Sequence, residues 1–583
     1  MKLSDYVIDF LISQEITHVF EVCGGALAHL LDSLYEREDI STVSMHHEAA
    51  TAFAADGYSR VSGNIGVAMA TSGPGAANLI TGIGSCFFDS IPCLFITGQV
   101  NTYEFKFDKP TRQIGFQETD IVNIIKPIVK DTNLVTNPDK IRYHLESSVH
   151  IAKSGRPGPV LLDIPMNIQR ADISPESLES FYKNSINESD NEVVRQIVQL
   201  VKSSYRPVVL AGGGVRLSKA EDELFQFIHK TGIPVVTSLM GRDSFPNEHP
   251  SFLGMIGSYG NRYANLAIAN SDLVLALGTR LDTRQTGTKP ETFARGAKII
   301  HVDIDQYELN NKIKADFSIN SDVKRFLTAF NNHIREYDKH RIQHWKQIIR
   351  RYKDRYPSYK ILSDDIIGPN FFMHKLSEFL PEDAIICVDV GQNQMWAAQT
   401  LEVKKSQRFL TQGGMGSMGS ALPMAIGASF AKPGKIVVVI TGDGGFQLNI
   451  QELQTIYHHK LPIKIILLNN HCYGMVRQFQ EQYFNSRFQS TVVGYSCPNF
   501  QDVVSAYKIP VMKITYNAEI TEALQKFFGD AQSTFLEVYT NPDFKVTPKL
   551  SVNKPVEDQD PLLSRNELES NMLIDILPEP KKI

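Results

Sequence analysis

The stretch from Ile436 to Tyr473 constrains the fold more than any other part of this sequence. It begins with an apolar, β-branched run that ends at the turn Thr441-Gly-Asp-Gly-Gly. A segment rich in Gln, Glu and Leu follows, and a second apolar run from Pro462 ends at Asn469-Asn470. This order predicts a strand, a tight turn, a helix and a second strand, and therefore a parallel strand pair of an α/β fold.

Polar residues at the ends of these two predicted strands indicate what the unit binds. Asp443 and Asn470 lie just past the strand ends, where open parallel sheets bind ligands, so both are expected to face one crevice. Gly442, Gly444 and Gly445 let the backbone approach a phosphate closely, and the two side chains offer the oxygen ligands that Mg²⁺ prefers. A Gly-Asp-Gly sequence alone also fits an ordinary turn, but its pairing with Asn470 favours a diphosphate held through a metal ion.

The same pattern occurs earlier in the chain. Thr71-Ser-Gly-Pro-Gly matches Thr441-Gly-Asp-Gly-Gly, and the interval from Thr71 to Pro92 equals that from Thr441 to Pro462. We therefore expect two versions of one module, of which only the second carries the metal-binding Asp and Asn. Glu48 precedes the first version, at a strand-to-helix turn that is typical of catalytic side chains.

Length and charge limit the classes of function. A chain of 583 residues is too long for one core, and 59 basic against 64 acidic residues favour neither nucleic acid nor an anionic membrane as a partner. Asp5 and Asp9 interrupt the first apolar segment, and no apolar stretch is long enough to span a bilayer, so we expect a cytoplasmic protein. Six scattered cysteines without Cys-x-x-Cys spacing fit buried free thiols.

The order of segments predicts three α/β domains joined by linkers. In the middle of the chain, a strand, the Gly-rich turn 212–214, a helix and further strands indicate a Rossmann-like domain, in which Asp303 at a strand end is placed to bind a ribose hydroxyl. The expected boundaries are 1–170 for the first domain, 171–191 for a linker, 192–330 for the central domain, 331–367 for a second linker with a charged, solvated helix over 337–359, 368–540 for the third domain and 541–583 for an extended C-terminal arm.

Ordered motifs along the chain resemble the acetolactate (acetohydroxyacid) synthase family of thiamine diphosphate enzymes. They are His47-Glu48, TSGPGAAN, ITGQV, FQETD, GRPGPVLLDIP, LGTRLDTRQTG, HVDID, DVGQNQMWAAQ, GGMGSMGSALP, GDGGF and LNNHCYGMVRQFQ. The resemblance implies three doubly wound parallel-sheet domains, namely a pyrimidine-binding, a central FAD-binding and a diphosphate-binding domain. It also implies thiamine diphosphate, Mg²⁺ and FAD as cofactors, and a homodimer or homotetramer with active sites at the subunit interface.

The resemblance assigns roles to individual residues. The catalytic positions are Glu48, Gln117, Gly25 and Phe116. Thiamine diphosphate would contact Glu48, Pro74, Asn78, Val390, Gly391, Gln392, Asn393, Gly416, Met418, Gly442, Asp443, Gly444, Gly445, Asn470, Tyr473, Gly474 and Met475. Mg²⁺ would be held by Asp443, Asn470 and Cys472. The FAD positions are Gly213, Gly214, Leu239, Met240, Gly278, Arg280, Asp282, Arg284, Asp303, Ile304 and Asp322, and the substrate pocket contains Phe479, Val476 and Lys130.

The implied chemistry is decarboxylation of a 2-keto acid, with pyruvate the expected donor, and carboligation to a second carbonyl compound. Glu48 would exchange a proton with the cofactor's pyrimidine ring, and Met418 would hold the cofactor bent. Several residues depart from the family pattern: Cys23, His46 and Asn393 near the expected cofactor, Ile256 where the family has a His near the flavin, and Phe479 where it has a Trp.

Three functions are therefore considered. The first is acetolactate synthesis from two pyruvates. The second is transfer of a pyruvate-derived two-carbon unit to a nucleotide-linked keto sugar in surface-polysaccharide biosynthesis, because the tail resembles that of synthase-like carboligases of that kind. The third, from another class, is an inactive cofactor-binding regulatory homologue, against which the intact Glu48, Asp443 and Asn470 argue.

Overall fold

Three six-stranded sheets, in which every strand pair is parallel, organise the chain. A computed structural model describes residues 1–182, 191–363 and 365–578. Residues 183–190 of the expected first linker, Asp364 of the second and residues 579–583 of the arm lie outside this description. The predicted α/β class with three doubly wound parallel sheets is confirmed.

The first sheet has the strand order β2-β1-β3-β4-β6-β5. Its strands are β1 (His18–Val22), β2 (Ser41–Ser44), β3 (Gly66–Ala70), β4 (Cys93–Gln99), β5 (Asp131–Leu134) and β6 (Val160–Pro165). Its helices are α1 (Leu3–Ser13), α2 (Ala28–Leu34), α3 (Glu48–Ser62), α4 (Pro74–Asn78), α5 (Ile80–Asp89), α6 (Ile121–Ile125), α7 (Ile141–Lys153) and α8 (Met166–Gln169). The inner strands β3 and β4 are buried along their whole length, as continuous apolar runs covered by helices on both faces require.

The central sheet has the order β12-β11-β10-β7-β8-β9, which is the Rossmann order, as predicted. Its strands are β7 (Pro207–Ala211), β8 (Val235–Thr237), β9 (Phe252–Met255), β10 (Leu273–Leu277), β11 (Lys298–Asp303) and β12 (Phe317–Asn320). The helices are α9 (Asn191–Ser203), α10 (Gly213–Leu217), α11 (Glu221–Thr231), α12 (Arg262–Asn270), α13 (Thr283–Thr286), α14 (Val323–His333) and α15 (Gln343–Arg355).

The helix α15 corrects the expectation of a solvated linker helix over 337–359. Its charged residues cover one side only, and the other side buries Trp345, Ile348, Ile349 and Tyr352 against the central domain. Trp345 is 1% exposed and donates from Nε1 to the carbonyl oxygen of Pro207. The high charge of the segment hid an apolar stripe at helical spacing, which is what attaches the helix.

The third sheet, in the order β14-β13-β15-β16-β18-β17, repeats the topology of the first. Its strands are β13 (Ile385–Val388), β14 (Arg408–Thr411), β15 (Val437–Gly442), β16 (Ile463–Asn469), β17 (Val511–Ile514) and β18 (Thr534–Tyr539). The helices are α16 (Pro369–Phe379), α17 (Gln392–Thr400), α18 (Ala421–Ala431), α19 (Asp443–Phe446), α20 (Leu453–His459), α21 (Gly474–Tyr483), α22 (Phe500–Ala506) and α23 (Ile520–Phe527). The two predicted copies of one module are thus the cores of two equivalent sheets.

The first and third domains pack through helices α3 and α18, which cross at glycines. A methyl group on Gly57 would lie 2.0 Å from the carbonyl oxygen of Met424, and one on Gly427 would lie 1.8 Å from that of Ala54. Only glycine permits so close an approach of two helix backbones. The crossing fixes the orientation of α3, whose first residue is Glu48.

The C-terminal arm leaves the third domain after β18 and packs against the central domain. It contains β19 (Lys549–Leu550), β20 (Gln559–Asp560) and α24 (Arg565–Asn571), and it buries Leu550, Val556 and Leu568 in the core beside α12 and α15. All six cysteines are free; four are buried as expected, while Cys23 is exposed and Cys497 half-buried. In the ranges described, no helix is both long and apolar enough to cross a membrane.

Candidate active site

The carboxyl ends of β13, β15 and β16 bring together polar side chains from three loops. Asn470 donates from Nδ2 to Oε1 of Gln392 at 2.9 Å, and the backbone N–H of Cys472 donates to Oδ1 of Asn470 at 3.3 Å. Asn393 donates from Nδ2 to the backbone oxygen of Asp389 at 2.7 Å. Because β13 and β15 are the strands at which the sheet order reverses, this crevice is the expected ligand position of such a sheet.

The other residues predicted for this end lie in the same loops. Val390 and Gly391 follow β13, Gly442, Gly444 and Gly445 end or follow β15, and Tyr473, Gly474 and Met475 follow β16. The ring of Tyr473 packs directly on Gly444, where an added methyl group would lie 2.4 Å from Cε1. Gly416 and Met418 lie half-buried in the loop between β14 and α18.

Asp443 is a buried carboxylate at the tip of β15. It is 2% exposed, and Oδ2 accepts a 2.8 Å hydrogen bond from the hydroxyl of Tyr495. Burial raises the pKa of Asp443 to about 6, despite hydrogen bonds that favour the charged form. A cation bound beside this carboxyl group would favour its charged form. The Asp443 carboxylate, the Asn470 amide oxygen and the Cys472 carbonyl are hard oxygen groups of the kind that suits Mg²⁺.

Asp389 organises this crevice and was missed in the sequence analysis. Its carboxylate accepts hydrogen bonds from the backbone N–H of Gly419 at 2.9 Å and from the hydroxyl of Thr441 at 3.0 Å. It also packs on Gly445, where an added methyl group would lie 2.2 Å from Oδ2. Asp389 therefore joins the loops after β13, before α18 and after β15. In the sequence, a carboxylate at a predicted strand end, the same pattern that identified Asp443, could have indicated it.

A second cluster lies at the carboxyl end of the first sheet, at the equivalent strands β1 and β3. Asn78 donates from Nδ2 to Oε2 of Glu48 at 2.9 Å. Gln117, whose φ is +64°, packs on Gly73, since a methyl group there would lie 2.9 Å from its Cβ. Gly25 and Pro74 are exposed at the same edge, and Phe116 is 85% exposed. The first-domain residues predicted to be catalytic are thus neighbours on an open face.

We call these clusters the third-domain half-site (Gln392, Asn393, Asp443 and Asn470) and the first-domain half-site (Glu48, Gly73, Asn78 and Gln117). Among the hydrogen bonds of the described chain, none joins one half-site to the other.

Glu452 of the third domain supports the start of α3 and is a further residue that the sequence analysis missed. This fully buried carboxylate accepts a 3.0 Å hydrogen bond from the backbone N–H of His46 and a 2.8 Å hydrogen bond from the hydroxyl of Thr455. The ring Nδ1 of His46 lies 3.1 Å from the same hydroxyl. Because His46 is two residues before Glu48, the third domain helps to position that carboxyl group.

A cavity of about 710 Å³ lies where the three domains meet. Its lining includes all eleven positions predicted for FAD, together with first-domain residues such as Arg60 and Arg156 and third-domain residues such as Arg408. The volume lies within the usual range for ligand sites. Asp282 and Asp322 have a second task there, because each accepts backbone N–H groups at the start of a helix, α13 and α14 respectively.

The three residues predicted for the substrate pocket do not lie together. Val476 and Phe479 are on α21, next to the third-domain half-site, and both side chains are exposed. Lys130 instead donates from Nζ to the carbonyl oxygens of Ile151 and Ser154 at the end of α7, at 2.5 and 2.6 Å. Burial lowers the pKa of Lys130 to about 8. The structure thus places Lys130 as a cap of a helix C-terminus, apart from α21.

Comparison with protein families matches three models along the chain. They are described as the thiamine pyrophosphate enzyme N-terminal TPP binding domain (residues 1–124), central domain (194–330) and C-terminal TPP binding domain (389–538).

Similar curated proteins cover nearly the whole chain. Acetolactate synthase 2, chloroplastic, of Nicotiana tabacum is 38% identical over 566 residues, which are 94% of this chain and 83% of the relative. Acetolactate synthase, chloroplastic, of Arabidopsis thaliana is 38% identical over 567 residues, with the same coverage of both chains. The acetolactate synthase large subunit of Cyanidium caldarium is 36% identical over 537 residues, or 90% of each chain.

Proposed function

Because the chain belongs to the acetolactate synthase family of thiamine pyrophosphate enzymes, we propose that it decarboxylates pyruvate and joins the remaining two-carbon unit to a second pyruvate. The observation that carries this proposal is the presence of both half-sites, with Glu48, Asp443 and Asn470 placed at the carboxyl ends of equivalent sheets. The carbonyl substrates are small molecules. The sugar-directed and regulatory alternatives find no support in the similar proteins.

In the proposed site, the third domain holds the diphosphate. Asp443, the Asn470 side-chain oxygen and the Cys472 carbonyl would hold Mg²⁺. Gln392 and Asn393 lie at the start of α17, beside the diphosphate position, and the side-chain nitrogen of Asn393 donates to the backbone oxygens of Asp389 and Ile440. When bound, thiamine diphosphate supplies a carbon nucleophile for the keto group and an electron sink for the pair released with CO₂. The glycines after β15 keep side chains out of the diphosphate position.

Glu48 is the proton-transferring residue in this proposal. Its carboxyl group exchanges a proton with the pyrimidine end of the cofactor, while the hydrogen bond from Asn78 orients Oε2. Glu452 supports the same helix start from the third domain through His46. Val476 and Phe479, whose side chains on α21 are exposed next to the third-domain half-site, would supply apolar walls to the substrate position.

FAD occupies the cavity at the junction of the three domains in this proposal. The support is its size and the presence of all eleven predicted positions in its lining. An absorbance spectrum of the purified protein tests this directly. Bound flavin absorbs at about 450 nm, a wavelength at which amino-acid side chains do not absorb. A protein that is colourless, and that binds no added FAD, would contradict it.

Two chains complete each active site in this proposal, which makes the protein at least a homodimer. The open face of the first-domain half-site supports this, because Phe116, Phe107 and Ile114 are exposed apolar side chains around it. Several large apolar side chains exposed within one loop are typical of an interaction surface.

Product analysis tests the proposed reaction. Incubation with pyruvate, thiamine diphosphate and Mg²⁺ should release CO₂ and form acetolactate, and EDTA should abolish both. Release of CO₂ that stays slow until a keto sugar is added would favour the sugar-directed carboligase instead. A protein that binds the cofactors and releases no CO₂ with any acceptor would be a regulatory homologue.

A further inference from the structure

The chain after helix α21 folds back onto the third-domain half-site. We call residues 489–497 the strap. The backbone N–H of Tyr473 donates to the carbonyl oxygen of Thr491 at 3.1 Å, near the start of the strap. At its other end, the ring Nδ1 of His471 lies 3.1 Å from Sγ of Cys497. The strap is therefore attached at two points to the loop that follows β16, the loop of the expected metal ligands.

Tyr495 reaches from the strap to the carboxylate of that site. It follows Gly494, whose φ of +82° lies in the left-handed region that favours glycine. The hydroxyl of Tyr495 donates to Oδ2 of Asp443 at 2.8 Å. Its ring meets that of Tyr473 edge to face, with the ring centres 4.6 Å apart, and Tyr473 in turn packs on Gly444. The ring is thus supported from the side, which fixes the hydroxyl beside Asp443.

This hydrogen bond makes the two oxygens of Asp443 unequal. A phenol is protonated at neutral pH and has one hydrogen to donate, and here Oδ2 accepts it. The other oxygen, Oδ1, is the one that the hydroxyl leaves to a cation. A carboxylate held in this way is prepared to bind a metal ion through one oxygen.

Binding through one oxygen separates the two common divalent cations of this size class. Mg²⁺ is small and demands near-octahedral geometry with few protein ligands. Ca²⁺ takes six to eight oxygens and readily uses both oxygens of a carboxylate. A hydroxyl that occupies Oδ2 therefore suits Mg²⁺ and disfavours the two-oxygen mode that is open to Ca²⁺.

We propose that Tyr495 is a positioning residue for the metal, and that its hydrogen bond to Oδ2 directs Asp443 to bind through one oxygen and so favours Mg²⁺ over Ca²⁺. This inference rests on the proposed function and adds to it a residue of the strap, a segment that the predicted site does not include. Groups that hydrogen-bond a metal ligand orient it, and their loss typically lowers metal affinity by about 10- to 100-fold.

The test compares Tyr495→Phe with the wild type and with Tyr507→Phe. Phenylalanine keeps the ring that packs on Tyr473 and removes only the hydroxyl. Tyr507, just after α22, is a partly buried tyrosine that packs on the core of the same domain, and it is the matched control.

The readout is binding of thiamine diphosphate without pyruvate, so it does not depend on activity. Each protein is freed of metal with EDTA, kept with FAD, and subjected to equilibrium dialysis against labelled thiamine diphosphate at increasing Mg²⁺ or Ca²⁺. Urea unfolding of the metal-free proteins checks that each variant is folded. Tyr495→Leu, which also lacks the hydroxyl, replaces Tyr495→Phe if that variant is unfolded.

Tyr495→Phe is expected to need about tenfold or more Mg²⁺ than wild type for half-maximal binding of thiamine diphosphate. Its Ca²⁺ requirement should stay within about threefold of wild type, because Ca²⁺ can use the oxygen that the hydroxyl has released. At saturating Mg²⁺ the amount of bound cofactor should return to the wild-type level. Tyr507→Phe should match wild type with both ions.

Equal losses with Mg²⁺ and Ca²⁺ would overturn the inference, because they would show that Tyr495 only supports the local fold. An unchanged Mg²⁺ requirement would overturn it as well. Tighter Mg²⁺ binding in Tyr495→Phe would show instead that the hydroxyl competes with the metal. A wild type that binds no thiamine diphosphate with either ion is a different result: it would overturn the proposed function, and the inference with it.

Discussion

Carboxylates in and near the sheets have distinct surroundings in this protein. Asp163, inside β6, is fully buried and accepts hydrogen bonds from the hydroxyl of Thr97 at 2.7 Å and from Nε2 of Gln99 at 2.8 Å. Asp389 is likewise buried and held by several donors. Glu48, in contrast, is half-buried, with a single hydrogen bond, on an open face. The two aspartates hold loops in place, whereas Glu48 is accessible to a ligand.

The variant Glu48→Gln tests the assignment of the proton-transferring residue. An amide keeps the size of the side chain but cannot exchange the proton, so we expect CO₂ release from pyruvate to fall by about 10²- to 10⁴-fold. Unfolding in urea should be nearly unchanged. Glu38→Gln, an exposed carboxylate elsewhere in the first domain, serves as the control. A Glu48→Gln variant as fast as wild type would remove Glu48 from the mechanism.

Asp163 predicts a pH dependence of stability. Burial raises its pKa from 3.8 to about 7. Between about pH 4 and pH 7 the folded chain therefore holds a proton that the unfolded chain has lost, and the free energy of unfolding decreases as the pH rises through this window.

Asp163→Asn cannot ionise, so it should remove this contribution. Relative to wild type, the variant should gain about 2–4 kcal/mol of stability between pH 5 and pH 8, measured from urea midpoints. Asp108→Asn, which changes an exposed carboxylate, should follow the wild-type curve. Parallel curves for Asp163→Asn and wild type would show that this carboxyl group titrates normally.

At the scale of elements, the crossing of α3 and α18 connects stability to the site. The helices approach at Gly57 and Gly427, and the same α3 begins with Glu48. Support for α3 thus comes from its packing along the third domain and from Glu452 at its start. The position of the Glu48 carboxyl group depends on both.

Gly57→Ala should separate these helices. The added methyl group would lie 2.0 Å from the carbonyl oxygen of Met424, so the backbones must move apart, at a cost of about 1–3 kcal/mol in the free energy of unfolding. Activity should fall as well, since α3 shifts with its first residue. Gly529→Ala, whose new methyl group would have its nearest neighbour at 3.3 Å, is the control. Equal urea midpoints for the two variants would contradict the close packing.

At the scale of the whole molecule, the two half-sites predict complementation between chains. We expect Glu48→Gln and Asp443→Ala each to be inactive alone. If each active site takes one half from either chain, a mixed dimer has one intact site, and refolding or coexpressing the two variants should restore roughly a quarter of wild-type activity under random pairing.

Sedimentation velocity should show a dimer or larger assembly in the same preparations. A preparation of Glu48→Gln alone, refolded in the same way, is the control, because no dimer of this variant has an intact site. Activity that stays absent in dimers formed from both variants would place the whole site within one chain.

The sequence by itself determined the fold class, the Rossmann-like order of the middle sheet and the repeat that relates the first and third sheets. Parallel strands and crossover helices arise from local patterns of apolar spacing and turn residues. They can therefore be predicted without knowledge of the tertiary contacts. For the same reason Asp443, Asn470 and Glu48 could be selected as candidate site residues, since each stands near a strand end with a recognisable neighbour. The high charge around Trp345 concealed the packing of the predicted linker helix on the central domain.

Only the tertiary structure decided which of these residues are neighbours. Glu452 carries no local signal, because its importance lies in a partner far away in the chain, His46. Asp389 stands at a strand end, as Asp443 does, but its partner Gly419 is likewise distant in sequence. The arm likewise reads as an extended tail in sequence. Its packing follows from long-range burial of Leu550 and Leu568, which no short stretch encodes.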